Sequence, residues 1–140
     1  MTNPLLQSSG PIPFDRISAE HIEPGIRQGL VEAGAEIDAL TADPATPTWE
    51  NTMARLERAA DRLSCVITPA AHLISVAQTP ELRAAYNVVL PEISAFWSSL
   101  ALNPALWSRI EAFAGTEEAA GLTGIHRRHL DKTLREFRRA

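Results

Sequence analysis

The sequence predicts an all-α fold, an antiparallel up-and-down bundle of about five amphipathic helices, two of them kinked by proline. Three observations carry this expectation. Apolar residues recur at spacings of three and four along most of the chain, the period that keeps one face of a helix apolar. No sustained strand-like alternation is found, so a sheet has no pattern to build on. Capping and helix-breaking residues fall between the periodic stretches and leave only short connections, which make successive helices antiparallel neighbours.

Residues 1–17 read as an irregular N-terminal arm. Pro4, Pro11 and Pro13 each push the preceding residue toward extended backbone, and Gly10 loosens the chain further. Phe14 and Ile17 are the arm's candidate anchors. Residues 18–140 read as one helical domain. Its first helix covers 19–42, with Ser18 as N-cap of a short opening turn and Pro24 at the first position of the main helix. The stripe Ile26, Leu30, Ala33, Ile37 and Leu40 keeps one face apolar. Gly25, Gly29 and Gly34 lie along this helix, where they permit close approach of a neighbouring element at a cost in propensity.

After the proline-punctuated loop from Asp43 to Pro47, Thr48 caps a long second helix, with Asn51 at the position where a capping box carries Glu or Gln. Its stripe is Trp49, Met53, Leu56, Ala60, Leu63, Ile67, Ala70, Ile74 and Ala77. Pro69 falls inside, but the apolar phase survives it, so a kink is expected rather than a stop. Thr79-Pro80 opens a third helix with the stripe Leu82, Tyr86, Val89, Ile93, Phe96 and Leu100, and Pro91 is its kink. Asn103-Pro104 opens a short fourth helix holding Leu106, Trp107, Ile110 and Phe113, which Gly115 ends. A fifth helix covers about 117–139, with Ile125, Leu130, Leu134 and Phe137 facing inward.

Composition narrows the class. The 140 residues are 45% apolar and 21% charged, globular values that argue against disorder. Cys65 is the single cysteine, so no internal disulfide forms and a reducing compartment is implied. It lies in the apolar stretch Leu63-Ser64-Cys65-Val66-Ile67, which reads as a buried structural thiol rather than a nucleophile. The N-terminus shows no signal peptide and no run is long enough for a membrane span; the expectation is a cytoplasmic protein that engages no membrane. The net charge of −4 hides an asymmetry: the first 120 residues hold 7 Arg against 15 Asp and Glu, whereas the last 20 hold 6 Lys and Arg against 2 acids. That basic tail admits an anionic partner or nucleic acid. The preferred reading is a helix whose last turns carry cations suited to its dipole, and no nucleic acid is expected, because no aromatics interleave for base stacking.

The search for chemistry returns mostly negatives. A zinc peptidase places two imidazoles one helical turn apart beside a carboxylate, as in His-Glu-x-x-His, and that motif is absent. His126 and His129 are three apart and both could reach one metal, but Arg127 and Arg128 between them repel a cation. His72, between Ala71 and Leu73, reads by default as a satisfied structural histidine, with a peptide contact as the alternative. Glu117-Glu118 opens a helix, where acids are stabilising without any catalytic role. The glycines form no phosphate-cradling loop. Neither a catalytic nor a metal-ligating residue is expected, and no substrate-binding residue is assigned.

Several segments together resemble one family. They are Asn3-Pro4-Leu5-Leu6; Pro13-Phe14-Asp15-Arg16-Ile17 with His21-Ile22-Glu23-Pro24; Thr48-Trp49-Glu50-Asn51-Thr52; and His72-Leu73 followed by Thr79-Pro80-Glu81-Leu82-Arg83-Ala84-Ala85-Tyr86-Asn87 and Leu90-Pro91-Glu92-Ile93-Ser94-Ala95-Phe96. Leu134-Arg135-Glu136-Phe137 closes the series. In order and spacing they are similar to the N-terminal region of the thimet-oligopeptidase-like zinc metallopeptidases, the bacterial oligopeptidase A members in particular. The departures are small: Gly25 stands where Ala is commoner, and Val66-Ile67-Thr68 replaces a more usual aromatic.

The resemblance implies a long, mostly helical parent enzyme whose zinc site lies in a C-terminal catalytic half. These helices would form part of the wall of a channel that admits short peptides. Zinc is then the parent's cofactor and not this segment's, and the partners are the catalytic half and, in the parent, short peptides. The C-terminus falls inside a helix without a capping glycine, which fits a piece of a longer protein. Helix faces that would pack on the missing half predict self-association of the fragment. The alternative is a free-standing helical peptide- or protein-binding module without catalysis.

Overall fold

The computed structural model describes residues 3–6, 16–77 and 79–139. Every regular element among them is helical: α1 (Ala19–Ala42), α2 (Arg55–Ala77), α3 (Pro80–Ala101), α4 (Pro104–Ala114), α5 (Glu117–Ala120) and α6 (Gly124–Arg139), with a 3-10 turn at Pro4–Leu6 and a π-helical turn at Trp49–Ala54. The all-α class is as expected. Most of the expected arm, Phe14 included, lies outside the described residues; Leu5 and Ile17 are buried.

Two compact units share the chain, one made of Met1–Gly34 and Ala60–Ala95, the other of Ala35–Ala59 and Phe96–Ala140. In the first, Ile22, Ile26, Ala33, Leu63, Val66, Ala70, Leu82, Val89 and Ile93 are buried. Gly29 brings α1 against α2: a Cβ there would lie 3.4 Å from Leu63 Cδ1 and 3.5 Å from Val66 Cβ. Gly25 admits the Pro4–Leu6 turn, since a Cβ would meet Asn3 Nδ2 and Leu5 Cδ1 at 3.0 Å. The Asn3 amide donates to the His21 carbonyl at 3.0 Å and its Oδ1 accepts from the Leu5 N–H. On the surface, Arg27 joins α1 to Glu92 of α3 at 2.9 Å and also pairs with Glu23.

In the second unit Ile37, Leu40, Met53, Ala59, Leu106, Ile110, Phe113, Ala119 and Leu130 form one apolar cluster. The Trp107 and Phe137 rings stack beside it with centroids 5.8 Å apart.

The helices begin where the capping chemistry puts them. Thr48 and Asn51 close a reciprocal box, with Asn51 N–H donating to Thr48 Oγ1 at 3.1 Å and Thr48 N–H to Asn51 Oδ1 at 2.7 Å. Thr79 Oγ1 accepts from Leu82 N–H, and Asn103 Oδ1 from both Ala105 and Leu106. The helices run on through Pro69 and Pro91, because each proline removes only its own N–H bond while the flanking apolar stripe stays buried.

Four expectations need correction. Pro24 lies inside a continuous α1 instead of opening its main segment. The second helix starts with a π-helical turn before α2. The expected fifth helix divides at Gly121, and α6 restarts from Gly124, whose φ of 59° favours glycine. Ile125 does not face inward: it is 74% exposed. At about 100° per residue it sits roughly 140° around α6 from buried Leu130.

Candidate functional site

The richest grouping of aromatic and titratable side chains lies in the second unit, around the turn that Thr48 opens. The capping box fixes the backbone of Trp49, and the Trp49 N–H donates to Glu118 Oε1 of α5 at 3.2 Å. The indole then meets three rings. It stacks on His126 with centroids 4.3 Å apart and planes 24° from parallel, meets His129 edge-on at 5.9 Å, and meets Phe113 edge-on at 6.2 Å. These are the attractive geometries of aromatic pairs. The imidazoles of His126 and His129 are therefore both turned onto one tryptophan.

In the same unit two arginines serve the C-terminal end of α1. Arg109 of α4 is buried and donates through Nη1 to the Asp43 carbonyl at 2.6 Å. Arg55 pairs with the Asp43 carboxylate at 3.3 Å and with Glu36 at 3.7 Å. Cations at a helix C-terminus oppose the negative pole of its dipole and satisfy carbonyls that the helix leaves unbonded. The remaining Arg109 donors, Nε and Nη2, have no partner among the described residues.

The other sequence candidates are scattered. His21 is half-buried, and its Nδ1 accepts from the Ser18 N–H at 3.0 Å, so Ser18 is engaged with a side chain. His72 is exposed on α2. Cys65 is exposed as well, against the expectation of a buried thiol: Leu63 and Val66 take the inward face of α2 and the two residues between them, Ser64 and Cys65, turn outward. Glu117 and Glu118 open α5 under a Thr116 cap. Among the described residues no three His, Cys, Asp or Glu side chains converge as metal ligands. The Trp49 cluster and the Asp43 joint were not legible as such. The only signal was the Thr48–Asn51 box, which announces an ordered turn but not what its tryptophan touches.

The chemistry of this arrangement is that of a fastening: stacked rings, caps and ion pairs that tie α1, α4, α5 and α6 to one turn. Comparison with known proteins shows the family. The family "Neurolysin/Thimet oligopeptidase, N-terminal domain" matches residues 26–140. The chain belongs to this oligopeptidase family. The N-terminal domain is 33% identical over 137 residues to "Oligopeptidase A" of Salmonella typhimurium, covering 98% of this chain and 20% of that protein. It is 34% identical over 135 residues to "Organellar oligopeptidase A, chloroplastic/mitochondrial" of Arabidopsis thaliana, covering 96% and 17%. It is 31% identical over 140 residues to "Dipeptidyl carboxypeptidase" of Salmonella typhimurium, covering 97% and 21%. The chain thus spans about a fifth of the length of the curated relatives it matches. No helix among the described residues is long and apolar enough to cross a membrane.

Proposed function

We propose that this chain is the N-terminal helical domain of a cytoplasmic, zinc-dependent oligopeptidase that hydrolyses short peptides, and that residues 18–140 form part of the wall of its substrate channel. The observation that carries the reading is the family match over residues 26–140 together with relatives about five times longer. In this reading the domain holds no catalytic or zinc residue. The His-Glu-x-x-His motif is missing from the sequence, and the pair of imidazoles with suitable helical spacing is committed to Trp49. Zinc and the catalytic half belong to the remainder of the parent, and the domain's part is to shape which peptides reach the metal.

Mixing the chain with zinc and a quenched peptide substrate is expected to give no cleavage, and zinc-dependent turnover would overturn the assignment. The coding sequence is expected to continue past Ala140 to a His-Glu-x-x-His segment; a stop codon there would instead favour a free-standing peptide- or protein-binding module. Alone, the chain is expected to self-associate through apolar side chains such as Val31, 71% exposed, and Val76, 65% exposed. Sedimentation as a monomer at high concentration would refute that part.

A further inference from the structure

One face of α6 is turned fully away from the core. Ile125, Arg128, Lys132, Arg135 and Arg139 follow one another at spacings of three, four, three and four and all five are exposed. At 100° per residue they fall within about 80° of arc, opposite Leu130, Thr133 and Phe137. At 1.5 Å per residue the stripe runs about 21 Å. Ile125 at its head is the most exposed of the large apolar side chains.

The local structure does not account for this stripe. Cations in the last turn suit the helix dipole, and Arg135, Arg138 and Arg139 fit that rule. Arg128 lies in the N-terminal half, where the dipole disfavours a cation. Arg128 with Lys132, and Arg135 with Arg139, are like charges four apart, an arrangement that weakens a helix. The helix's own acids do not neutralise the row: Asp131 faces Arg127 at 3.5 Å, and Glu136 reaches only Lys132, at 3.8 Å. Among the described residues Arg128, Arg135, Arg138 and Arg139 have no ion-pair partner.

An apolar anchor at the end of a row of four cations, three of which have no ion-pair partner among the described residues, is the complement of an acidic, amphipathic protein surface. The geometry points to α6 as a docking face for such a surface: a helix or extended segment that presents carboxylates to Arg128, Lys132, Arg135 and Arg139 and a small apolar socket to Ile125. Charge complementarity steers the approach and sets the register; the isoleucine supplies the desolvated contact that a charged rim surrounds. Ile125 favours protein over nucleic acid, because a phosphate backbone gives an aliphatic side chain nothing to bury against, and no aromatic stands in the row to stack a base. This inference does not depend on the oligopeptidase reading.

The test is fluorescence anisotropy of the full chain against a labelled helical peptide of about 20 residues, long enough to span the stripe, with glutamates along one face and a single leucine at its end. Binding is expected at about 20 mM salt and its loss at about 0.5 M, where screening shortens the reach of each charge to a few ångströms. Arg128→Glu with Arg135→Glu is expected to weaken it at least about thirtyfold, and Ile125→Ser about tenfold. All three positions are exposed, and circular dichroism checks that the variants keep their helix content; Arg128→Gln with Arg135→Gln serves if the charge swap does not fold. No binding by the unmodified chain, or binding that ignores the α6 variants, overturns the proposal. So does a single-stranded thymidine oligomer of equal charge that binds as tightly and is indifferent to Ile125→Ser.

Discussion

Three glycines on α1 differ in what a methyl group would meet, and replacing each by alanine separates backbone propensity from packing. At Gly34 nothing lies within 4 Å. Gly34→Ala therefore gains only the helix propensity difference, about 0.5–1 kcal/mol, which raises Tm by about 2–5 °C for a chain of this size. At Gly29 the new methyl would sit 3.4–3.5 Å from Leu63 and Val66, ordinary contact, so Gly29→Ala is expected to stabilise by at least as much. At Gly25 the same methyl would press on Asn3 Nδ2 and Leu5 Cδ1 at 3.0 Å and on Leu5 Cβ at 3.2 Å. Relief means moving the Pro4–Leu6 turn, with loss of the Asn3–His21 hydrogen bond, worth about 1 kcal/mol, on top of an overpacking cost of about 1–3 kcal/mol. Set against the propensity gain, Gly25→Ala is expected to destabilise by about 1–3 kcal/mol. Urea denaturation followed by circular dichroism measures all three. Because the clash runs through Leu5, Gly25→Ala should cost less in a Leu5→Ala background, a coupling that a double-mutant cycle isolates. If Gly25→Ala stabilises the chain as Gly34→Ala does, the docking of the N-terminal turn on α1 is refuted.

Three other perturbations probe single contacts. Thr48→Ala removes half of the reciprocal box and is expected to lower stability by about 1 kcal/mol in the same assay; no change would mean that the π-helical turn holds without its cap. Trp49→Ala strips the contacts to His126, His129 and Phe113 and is expected to cost about 3 kcal/mol or more, with unfolding at clearly lower urea as the readout. The Arg27 hydrogen bond holds the Glu92 carboxyl below its ordinary value, with burial acting in the opposite direction. The folded form thus gains from this pair above the unfolded glutamate pKa of about 4.3, and the gain disappears as pH falls through the lowered folded value. Both side chains are largely solvated, so the effect is small and is screened at about 0.5 M salt. Glu92→Gln is expected to flatten the acid limb of the stability curve, and an unchanged limb would show that the pair contributes nothing.

How much of this was legible depends on how local the cause was. Thr48, Thr79 and Asn103 announce helix starts because a cap is decided by two or three neighbouring residues, and all three accept the backbone bonds expected of them. The α1 stripe was legible for the same reason: Ile26, Ala33, Ile37 and Leu40 are buried as their spacing requires. Long-range chemistry was not. Trp49 and His126 are 77 residues apart, and nothing in either segment names the other; Arg109 and Asp43 are 66 apart. Ile125 and Cys65 show a subtler failure. Cys65 lies in an apolar stretch and Ile125 in a basic one, yet in both cases helical phase, not composition, decides which side the residue takes. On α2 the phase set by Leu63 and Val66 excludes Cys65 from the core. Ile125 stands five residues before Leu130, about 140° around α6, so grouping it with Leu130, Leu134 and Phe137 as inward-facing ignored its phase. Once α6 is phased from Leu130 alone, Ile125 falls in line with Arg128, Lys132, Arg135 and Arg139. The misplaced core residue and the unexplained basic row are then one feature, an outward face whose apolar end was mistaken for part of the interior.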